Sequence, residues 1–531
     1  MMLAVSTPFG SSPEIERHAT RWRANDTIAR IWRKDPTVWS DPPVPEIADR
    51  LGWLDTHSTS RGLVEQISTL HTTAVSMGIS DLVLCGMGGS SLAAEVFAAT
   101  LPLAEGSPRL TVVDSTHPDT VRAVTSDTDP ATTWYIIASK SGETIETMSL
   151  YRHFWEQASR ALADPGSHFI AITDPDTSLQ TIAADRSFRA TLLADRDVGG
   201  RYSALTAFGL VPAGLIGADV TTLIDAAGGV AAQCGPDTPL EENPGFCAGV
   251  LMAESARSGM DKAHIIASSP TGAVGIWIEQ LIAESTGKQG VGIIPIDGGP
   301  RIDGSQFSML VGIGSAPVDD ADIRITVAHP HDVAGMMFVL EFATAVAGEV
   351  LGINPFDQPD VQMAKRLAGQ AMHGELDPIG LDPTNVTETV WVESLKRILA
   401  ERPTSYISIQ AYIPQTPENT SCLDALRWAL SEITGAYVTI GFGPRFLHST
   451  GQLHKGGPPG GVYLQITEDT GSDLGVPGTG YTFNDLIAAQ ASGDRAALAD
   501  RGRPVVAVDL GFARDQGLRE MLEQVRGMTQ D

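Results

Sequence analysis

Two short polar segments, each directly after an apolar run, have the residue types of an anion-binding site. Gly86-Met-Gly-Gly-Ser-Ser91 follows the apolar residues 82–85, and Ser139-Lys-Ser-Gly-Glu-Thr144 follows the apolar residues 134–138. Each pattern predicts a buried strand, a tight turn and a helix N-terminus, where free N–H groups, the helix dipole and hydroxyls favour a phosphate. The first segment fits neither the nucleoside-triphosphate loop nor the dinucleotide fingerprint, so neither ligand is predicted.

A purely structural explanation of these segments stays open at this point. A glycine turn can be a plain strand–helix corner, and Ser141 or Thr144 can serve only as a helix cap. Because parallel strands end at the same edge of a sheet, however, two such turns can hold one phosphate from two sides. The predicted phosphate-binding residues are Gly89, Ser90, Ser139, Lys140, Ser141 and Thr144.

A glutamate and an arginine stand where acid–base chemistry is favoured. Glu284 lies at the end of a predicted helix over 274–286, before Gly287 as a C-terminal cap, and a partly buried carboxylate there suits proton transfer. Arg201 follows two glycines, and its guanidinium can stabilise negative charge without losing its proton. From composition alone, Glu284 is as readily a solvated carboxylate and Arg201 part of a surface ion pair.

Six segments together resemble the phosphoglucose isomerase family, which has the sugar-isomerase (SIS) fold. The match includes both phosphate turns and extends from residue 86 to residue 452. The other four segments are Gly199-Gly-Arg-Tyr-Ser203, Glu284-Ser-Thr-Gly-Lys288, Asn354-Pro-Phe-Asp-Gln358 with Val361 and Lys365, and Leu447-His-Ser-Thr-Gly-Gln452. The Asn354–Lys365 segment resembles in particular the isomerase half of transaldolase–isomerase fusions.

The resemblance implies reversible isomerisation of D-glucose 6-phosphate to D-fructose 6-phosphate through ring opening and a cis-enediol. The roles it implies are phosphate binding by Ser90, Ser139, Ser141 and Thr144, substrate contact by Gln358, charge stabilisation by Arg201, proton transfer by Glu284, and ring opening by Lys365 and His448. Proton transfer through an enediol needs no metal and no cofactor, and none is expected. Two alternatives stay open, a dual phosphoglucose/phosphomannose isomerase and a non-catalytic phosphosugar-binding sensor.

The chain departs from the family pattern in two respects. Asp360 stands where the family usually has glycine, and the histidine segment follows Lys365 instead of preceding it. The C-terminal stretch is therefore expected to fold back onto the site, with His454 as the competitor of His448. Family members are commonly dimers that exchange this histidine, so a monomer with the histidine in cis and a homodimer both stay open.

Composition limits the organisation and the partners of the chain. The 531 residues exceed one ordinary core, and a net charge of −28 disfavours binding to nucleic acid or to an anionic membrane. Apolar strands that alternate with helices predict an α/β protein with parallel, doubly wound sheets. The resemblance implies that these form two SIS domains, followed by a C-terminal α/β segment. The predicted boundaries are a helical lead-in at 1–60, SIS domains at 61–219 and 220–370, and the C-terminal segment at 371–531.

The remaining expectations concern location and assembly. No apolar run reaches the ~18–20 residues of a membrane span, and four scattered cysteines form no C-x-x-C pair, so a cytoplasmic protein with reduced thiols is expected. The substrate is expected to be a small sugar phosphate. A transaldolase activity would need its own (β/α)8 barrel, and would have to come from a partner or from a fused domain.

Overall fold

A computed structural model describes residues 4–6, 12–42, 44–302, 308–372, 382–402 and 404–528. Within these ranges, the side chains of residues 4–6, 362, 364 and 365 are outside the description. In this part of the chain, fifteen strands form three five-stranded sheets with helices around them. The predicted α/β class is confirmed.

The N-terminal segment is mainly helical, as predicted, and also supplies one strand that was not predicted. Its elements are β1 (Ala4–Ser6), α1 (Pro13–Ala24), α2 (Thr27–Trp32), α3 (Thr56–Thr59) and α4 (Val64–Ser76). The strand β1 pairs antiparallel with a strand of the second sheet, Ile323–Thr326. The first residues therefore belong structurally to a sheet that begins some 250 residues later.

The first sheet is fully parallel and carries both predicted phosphate turns. Its elements are β2 (Asp81–Cys85), α5 (Leu92–Thr100), β3 (Arg109–Val113), α6 (Pro118–Asp127), β4 (Thr133–Ala138), α7 (Ile145–Ala161), β5 (Phe169–Thr173), α8 (Ser178–Asp185), β6 (Ala190–Leu193) and α9 (Ala207–Leu215). The strand order is β3-β2-β4-β5-β6. Because β2 and β4 are neighbours and parallel, both turns leave the same edge of the sheet side by side.

The second sheet is parallel except for β1 at its edge. Its elements are α10 (Val220–Gln233), α11 (Pro244–Arg257), β7 (Lys262–Ala267), α12 (Gly275–Thr286), β8 (Ile294–Asp297), β9 (Ser308–Gly314), β10 (Ile323–Thr326), α13 (Val333–Leu351) and α14 (Pro359–Met372). The strand order is β1-β10-β9-β7-β8. The predicted parallel sheet is thus present, and β1 adds one antiparallel strand at its edge.

Helix α13 forms the centre of the largest hydrophobic core. With the preceding turn it spans Pro330–Leu351, and among the described residues it is the one helix long and apolar enough to cross a membrane by these criteria. In the fold, 94% of the most apolar 18-residue stretch of this helix is buried, so it is a core helix. The same core includes residues from Ile15 to Phe356 and joins the first two sheets. Because this core spans residue 220, the domain boundary there stays a prediction.

The third sheet gives the C-terminal segment a core of its own. Its elements are β11 (Thr384–Asn385), α15 (Val390–Glu401), β12 (Tyr406–Ala411), α16 (Pro417–Thr434), β13 (Tyr437–Phe442), α17 (Gly451–Gly456), β14 (Gly461–Thr467), α18 (Phe483–Asp500), β15 (Val505–Asp509) and α19 (Arg514–Arg526). All five strands are parallel, in the order β11-β15-β14-β12-β13. Helix α18 packs against α14, which attaches this segment to the second sheet.

Candidate active site

A cavity of about 390 Å³ lies at the carboxyl edge of the first sheet and is closed by segments from all three parts of the chain. Open α/β sheets bind their ligands at this edge. The predicted site residues that line the cavity are Gly89, Ser90, Lys140, Ser141, Thr144, Arg201, Glu284, Gln358 and His448. The side chain of Lys365 lies outside the described residues.

The second phosphate turn keeps the N-terminus of α7 free for an anion. Thr144 precedes the helix, but its side chain does not cap it, and it instead contacts the hydroxyl of Ser139 at 3.0 Å. Ser139 is 1% exposed and accepts a bond from the N–H of Gly142, so it supports the turn from beneath. The Ser141 hydroxyl accepts from the N–H of Glu143 within the turn. The capping explanation thus does not apply to the hydroxyls of Ser141 and Thr144, which line the cavity.

The glycines of the first turn are required by packing as well as by any ligand. A Cβ on Gly89 would overlap the carbonyl of Gly200, and a Cβ on Gly88 would contact the carbonyl of His448. Gly88 also has φ +54°, a conformation that L side chains rarely adopt. The hydroxyl of Ser203 donates to the carbonyl of Gly89 at 3.1 Å. The turn therefore packs directly on the segment that carries Arg201.

Arg201 and Glu284 form a buried ion pair across the cavity. Arg201 Nη1 lies 3.1 Å from Glu284 Oε1, and the two side chains are 4% and 9% exposed. The second carboxylate oxygen accepts from Gln280 Nε2 at 3.2 Å. The same amide nitrogen donates to the carbonyl of His448 at 2.8 Å, which connects α12 to the C-terminal segment. The carboxylate is therefore held in one orientation at the cavity wall.

The loop before α14 is fixed by two cations. Arg201 Nη2 donates to the carbonyls of Phe356 and Asp357, at 2.7 and 2.9 Å. Lys288 Nζ donates to the carbonyl of Asn354 and to both the carbonyl and the side chain of Asp357. Burial lowers the pKa of Lys288 to about 8. The loop that carries Gln358 is thus anchored to the arginine and to the end of the helix that carries Glu284.

The structure places His448, and not His454, in the cavity. His448 Nε2 lies 2.8 Å from Glu146 Oε1, and the ring lines the cavity wall. His454 is 3% exposed, contacts Ser408 and Gln410, and does not line this cavity. Burial lowers its pKa well below the usual range, which fits a neutral core histidine. The C-terminal stretch folds back onto the site in cis, and the competing assignment of His454 has no geometric support.

Lys140 is engaged at the rim of the cavity. Its Nζ lies 2.6 Å from Asp174 Oδ2 and 3.1 Å from the carbonyl of Arg196. Both the lysine and the aspartate line the cavity. A phosphate between the two turns would compete with Asp174 for this ammonium group.

Two residues at the site were missed by the sequence analysis. Gln280 lies four positions before Glu284, which places both on the same face of α12, so the helical spacing could have identified it. Glu146 lies in the first turn of α7, where a carboxylate usually indicates favourable interaction with the helix dipole. Nothing in the local sequence connects Glu146 with His448, because 302 positions separate them.

Comparisons with known proteins agree with this arrangement. A family model described as phosphoglucose isomerase matches residues 52–294. The glucose-6-phosphate isomerase of Rubrobacter xylanophilus is 26% identical over 434 residues, covering 69% of this chain and 97% of the relative. A glucose-6-phosphate isomerase of Thermus thermophilus is 25% identical over 392 residues, covering 62% and 92%.

Two solved structures share the fold. A hypothetical protein from Thermus thermophilus gives a TM-score of 0.59 at 23% identity, over 70% of this chain and 99% of that protein. A glucose-6-phosphate isomerase from Chlamydia trachomatis gives a TM-score of 0.58 at 18% identity, over 75% and 92%. At these identities the likeness establishes the architecture, and the site's chemistry has to be argued from the residues.

Proposed function

We infer that the chain belongs to the phosphoglucose isomerase family and is a glucose-6-phosphate isomerase, which interconverts D-glucose 6-phosphate and D-fructose 6-phosphate. The observation that carries this inference is the buried Arg201–Glu284 pair, at 3.1 Å, in the same cavity as the two phosphate turns. The two turns can bind a phosphate at one end of the cavity, and the Arg201–Glu284 pair lies at the other end. This arrangement matches a sugar phosphate that reacts at C1 and C2. The names of the matching relatives support the same activity.

The phosphate is bound where the two turns meet. Hydroxyls of Ser90, Ser141 and Thr144 and the uncapped N-terminus of α7 offer donors to its oxygens. When the ammonium group of Lys140 leaves Asp174 and contacts the phosphate instead, it adds a positive charge to the binding site. Holding the phosphate fixes one end of the sugar, so the reacting carbons are placed at the other end of the cavity.

Ring opening needs a proton at the ring oxygen and a base at the anomeric hydroxyl. His448 lies at the cavity wall and is oriented by Glu146, so we assign it to proton transfer with the ring oxygen. Lys365 is the second group proposed for this step, from its place in the Asn354–Lys365 segment. The open aldehyde then presents the acidic hydrogen on C2.

Glu284 moves a proton between C2 and C1. The carboxylate removes the C2 proton, and the electron pair forms the C1–C2 double bond while the carbonyl electrons move to O1. O1 gains a proton and the O2 hydroxyl gives one up, so that return of the first proton to C1 leaves a carbonyl at C2 and gives the ketose. Negative charge develops on the oxygen of the former carbonyl. The Arg201 guanidinium is fixed by two carbonyls and stabilises that charge without reorganising.

The test is turnover of glucose 6-phosphate by wild type and by Glu284→Gln. A general base contributes roughly 10²–10⁴-fold, so the variant is expected to lose that factor in kcat while binding of sugar phosphate, measured by calorimetry, is kept. Glu393→Gln, which changes an exposed carboxylate on α15, serves as the control and should match wild type. Tight binding by wild type without turnover would favour the sensor and would refute the isomerase.

Three finer features are part of the same proposal. Assay with mannose 6-phosphate decides whether the enzyme is dual. We place the protein in the cytoplasm, which is supported by the acidic composition and by four cysteines that are free within the described residues. The proposed partner is a small sugar phosphate, without nucleic acid, and co-purification would show whether a transaldolase associates.

A further inference from the structure

A buried hydrogen-bond relay lies behind His448, and two of its residues, Gln490 and Thr116, have no role in the mechanism above. Gln490 Nε2 donates to Glu146 Oε1 at 2.6 Å, the same oxygen that lies 2.8 Å from His448 Nε2. At the other end, the hydroxyl of Thr116 donates to Gln490 Oε1 at 3.0 Å. The relay thus runs from Thr116 through Gln490 and Glu146 to His448.

Burial fixes the orientation of the amide in this relay. Thr116, Gln490 and Glu146 are 0%, 3% and 5% exposed, so water does not replace the bonds between them. A glutamine amide has one accepting and one donating end, and the donating end faces the carboxylate oxygen of Glu146, which accepts. The accepting end then faces Thr116, whose hydroxyl donates to it and keeps the amide in this orientation.

The imidazole of His448 needs a fixed hydrogen-bond partner because there is open space beside the ring. The ring lines the substrate cavity on one side and a second, largely apolar cavity of about 330 Å³ on the other. Glu146 and Gln490 line the second cavity. An imidazole without a fixed partner has room to turn into that cavity and away from the sugar.

We propose that Gln490 is a positioning residue, which acts through Glu146 to hold His448 at the ring oxygen of the sugar. The proposal rests on the isomerase function assigned above. It also gives helix α18 a role in catalysis, because Gln490 lies on that helix, 344 positions from Glu146. Loss of the Gln490 hydrogen bonds should affect ring opening only, because Glu284 and Arg201 are held by other contacts.

The experiment separates ring opening from proton transfer between carbons. Interconversion of the α and β anomers of glucose 6-phosphate requires opening and closing of the ring but no transfer at C1 or C2, and exchange NMR measures its rate above the uncatalysed background. Gln490→Met keeps the shape but removes both hydrogen bonds. We expect it to lower catalysed anomer exchange and kcat together by about 10–100-fold, as for a small misplacement of a catalytic group, with KM nearly unchanged.

Three comparisons complete the test. Glu284→Gln should lose isomerisation and keep anomer exchange. Thr116→Val should weaken both activities in the same direction, and Thr116→Ser, which keeps the hydroxyl, should restore them. Thr116→Val also carries the test alone if Gln490→Met does not fold, which thermal melting would reveal.

The outcomes distinguish this inference from the function on which it rests. Wild type without isomerisation would overturn the proposed function. Wild type that isomerises, together with a folded Gln490→Met or Thr116→Val protein that retains wild-type anomer exchange, would overturn the positioning role alone.

Discussion

Arg201 makes three contacts with two parts of the fold through one guanidinium group. It pairs with Glu284 on α12 and donates to the carbonyls of Phe356 and Asp357 in the loop before α14. These contacts use separate N–H groups of a planar, rigid fork. A lysine has all its donors on one nitrogen, so it cannot reach both Glu284 and the two carbonyls as the separate Nη1 and Nη2 atoms of Arg201 do.

Arg201→Lys is therefore expected to lower kcat by about 10²–10³-fold, the range for removal of one group that stabilises a developing oxyanion. The charge remains, so a loss of this size would reflect geometry. Steady-state kinetics on glucose 6-phosphate measures it. Arg160→Lys on the exposed face of α7 is the control. A kcat within threefold of wild type would contradict the assigned role.

Residues that lie in a short motif could be selected from the sequence, and the structure brings them to one cavity. Arg201, Glu284 and the two turns were selected from local spacing and from the family resemblance. Gln490 was not, because its partner Glu146 lies 344 positions away and neither residue stands in a distinctive pattern. The choice between His448 and His454 also required the structure, since both lie in one loop-rich segment and only burial separates them.

At the scale of elements, the site depends on two turns that pack backbone against backbone. The Gly88–Ser90 turn lies against the Gly200–Tyr202 turn, and no side chain separates them at Gly89. This contact sets the distance between the Gly88–Ser90 turn, where we propose that the phosphate binds, and Arg201. A single added methyl group therefore changes the relation between the two ends of the site.

Gly89→Ala is expected to lower both the stability of the fold and kcat/KM. Its Cβ would overlap the carbonyl of Gly200, and overpacking of this kind costs about 1–3 kcal/mol. Thermal melting and steady-state kinetics measure the two effects. Gly229→Ala in α10, where a Cβ meets no atom within 4 Å, is the control and should not destabilise the protein. Equal melting temperatures for Gly89→Ala and wild type would disprove the steric argument.

Helix α13 buries a carboxyl group without compensation. Both carboxyl oxygens of Glu341 lack a hydrogen-bond partner in the described part of the chain, and the side chain is fully buried. Burial raises the pKa of Glu341 well above its usual range. In the unfolded chain the group ionises near pH 4.3, so its contribution favours folding below that pH and is lost progressively as the pH rises toward the folded pKa.

Glu341→Gln removes this pH dependence. We expect the melting temperature of the variant, relative to wild type, to increase from pH 5 to pH 8, because only wild type bears the cost of a buried ionisable group. Differential scanning fluorimetry at several pH values measures this difference. Glu349→Gln on the same helix breaks a contact with Arg21 and should instead be less stable than wild type. A constant difference across pH for Glu341→Gln would exclude the assigned effect.

Most helices and strands can be predicted from the sequence, because short apolar runs alternate with segments that have the periodicity of a helix. β6 and β9 have weak sequence signals for different reasons. β6 has only one buried position, and β9 contains Gly312 and ends at Gly314, residues that usually indicate a loop. Helix α16 begins at Pro417 because Thr416 caps it and proline suits its first turn.

At the scale of the whole molecule, the described residues of the site all come from one chain. The first sheet supplies the phosphate turns, α12 supplies Glu284, and the segment after β13 supplies His448. The carbonyl of His448 is bonded to Gln280 of the same chain. We therefore expect the histidine to act in cis, whether the protein is a monomer or a homodimer.

Mixing two inactive variants tests this expectation. Glu284→Gln and His448→Ala are unfolded together, refolded as a mixture and assayed. If each site uses its own histidine, no activity above the separate variants returns. If the histidine crosses between subunits, mixed dimers contain a site with both residues and up to about a quarter of wild-type activity returns. Sedimentation of the wild type gives the oligomeric state in parallel.

The overall arrangement of the three parts could be predicted only in outline. The order of motifs along the chain required the C-terminal stretch to return to the site, and it does so at His448. The packing of α18 on α14 and the pairing of β1 with β10 join residues far apart in sequence, and neither contact has a local signal.

The late position of His448 also determines when a newly made chain acquires its site. On the ribosome, Gln280 and the neighbouring Glu284 are synthesised 168 positions or so before His448. At roughly 5–20 residues per second, this interval lasts about 8–34 s. During that time the nascent chain has the glutamate proposed for proton transfer but lacks the histidine proposed for ring opening. We therefore expect catalysed turnover of the cyclic sugar only after synthesis has passed His448.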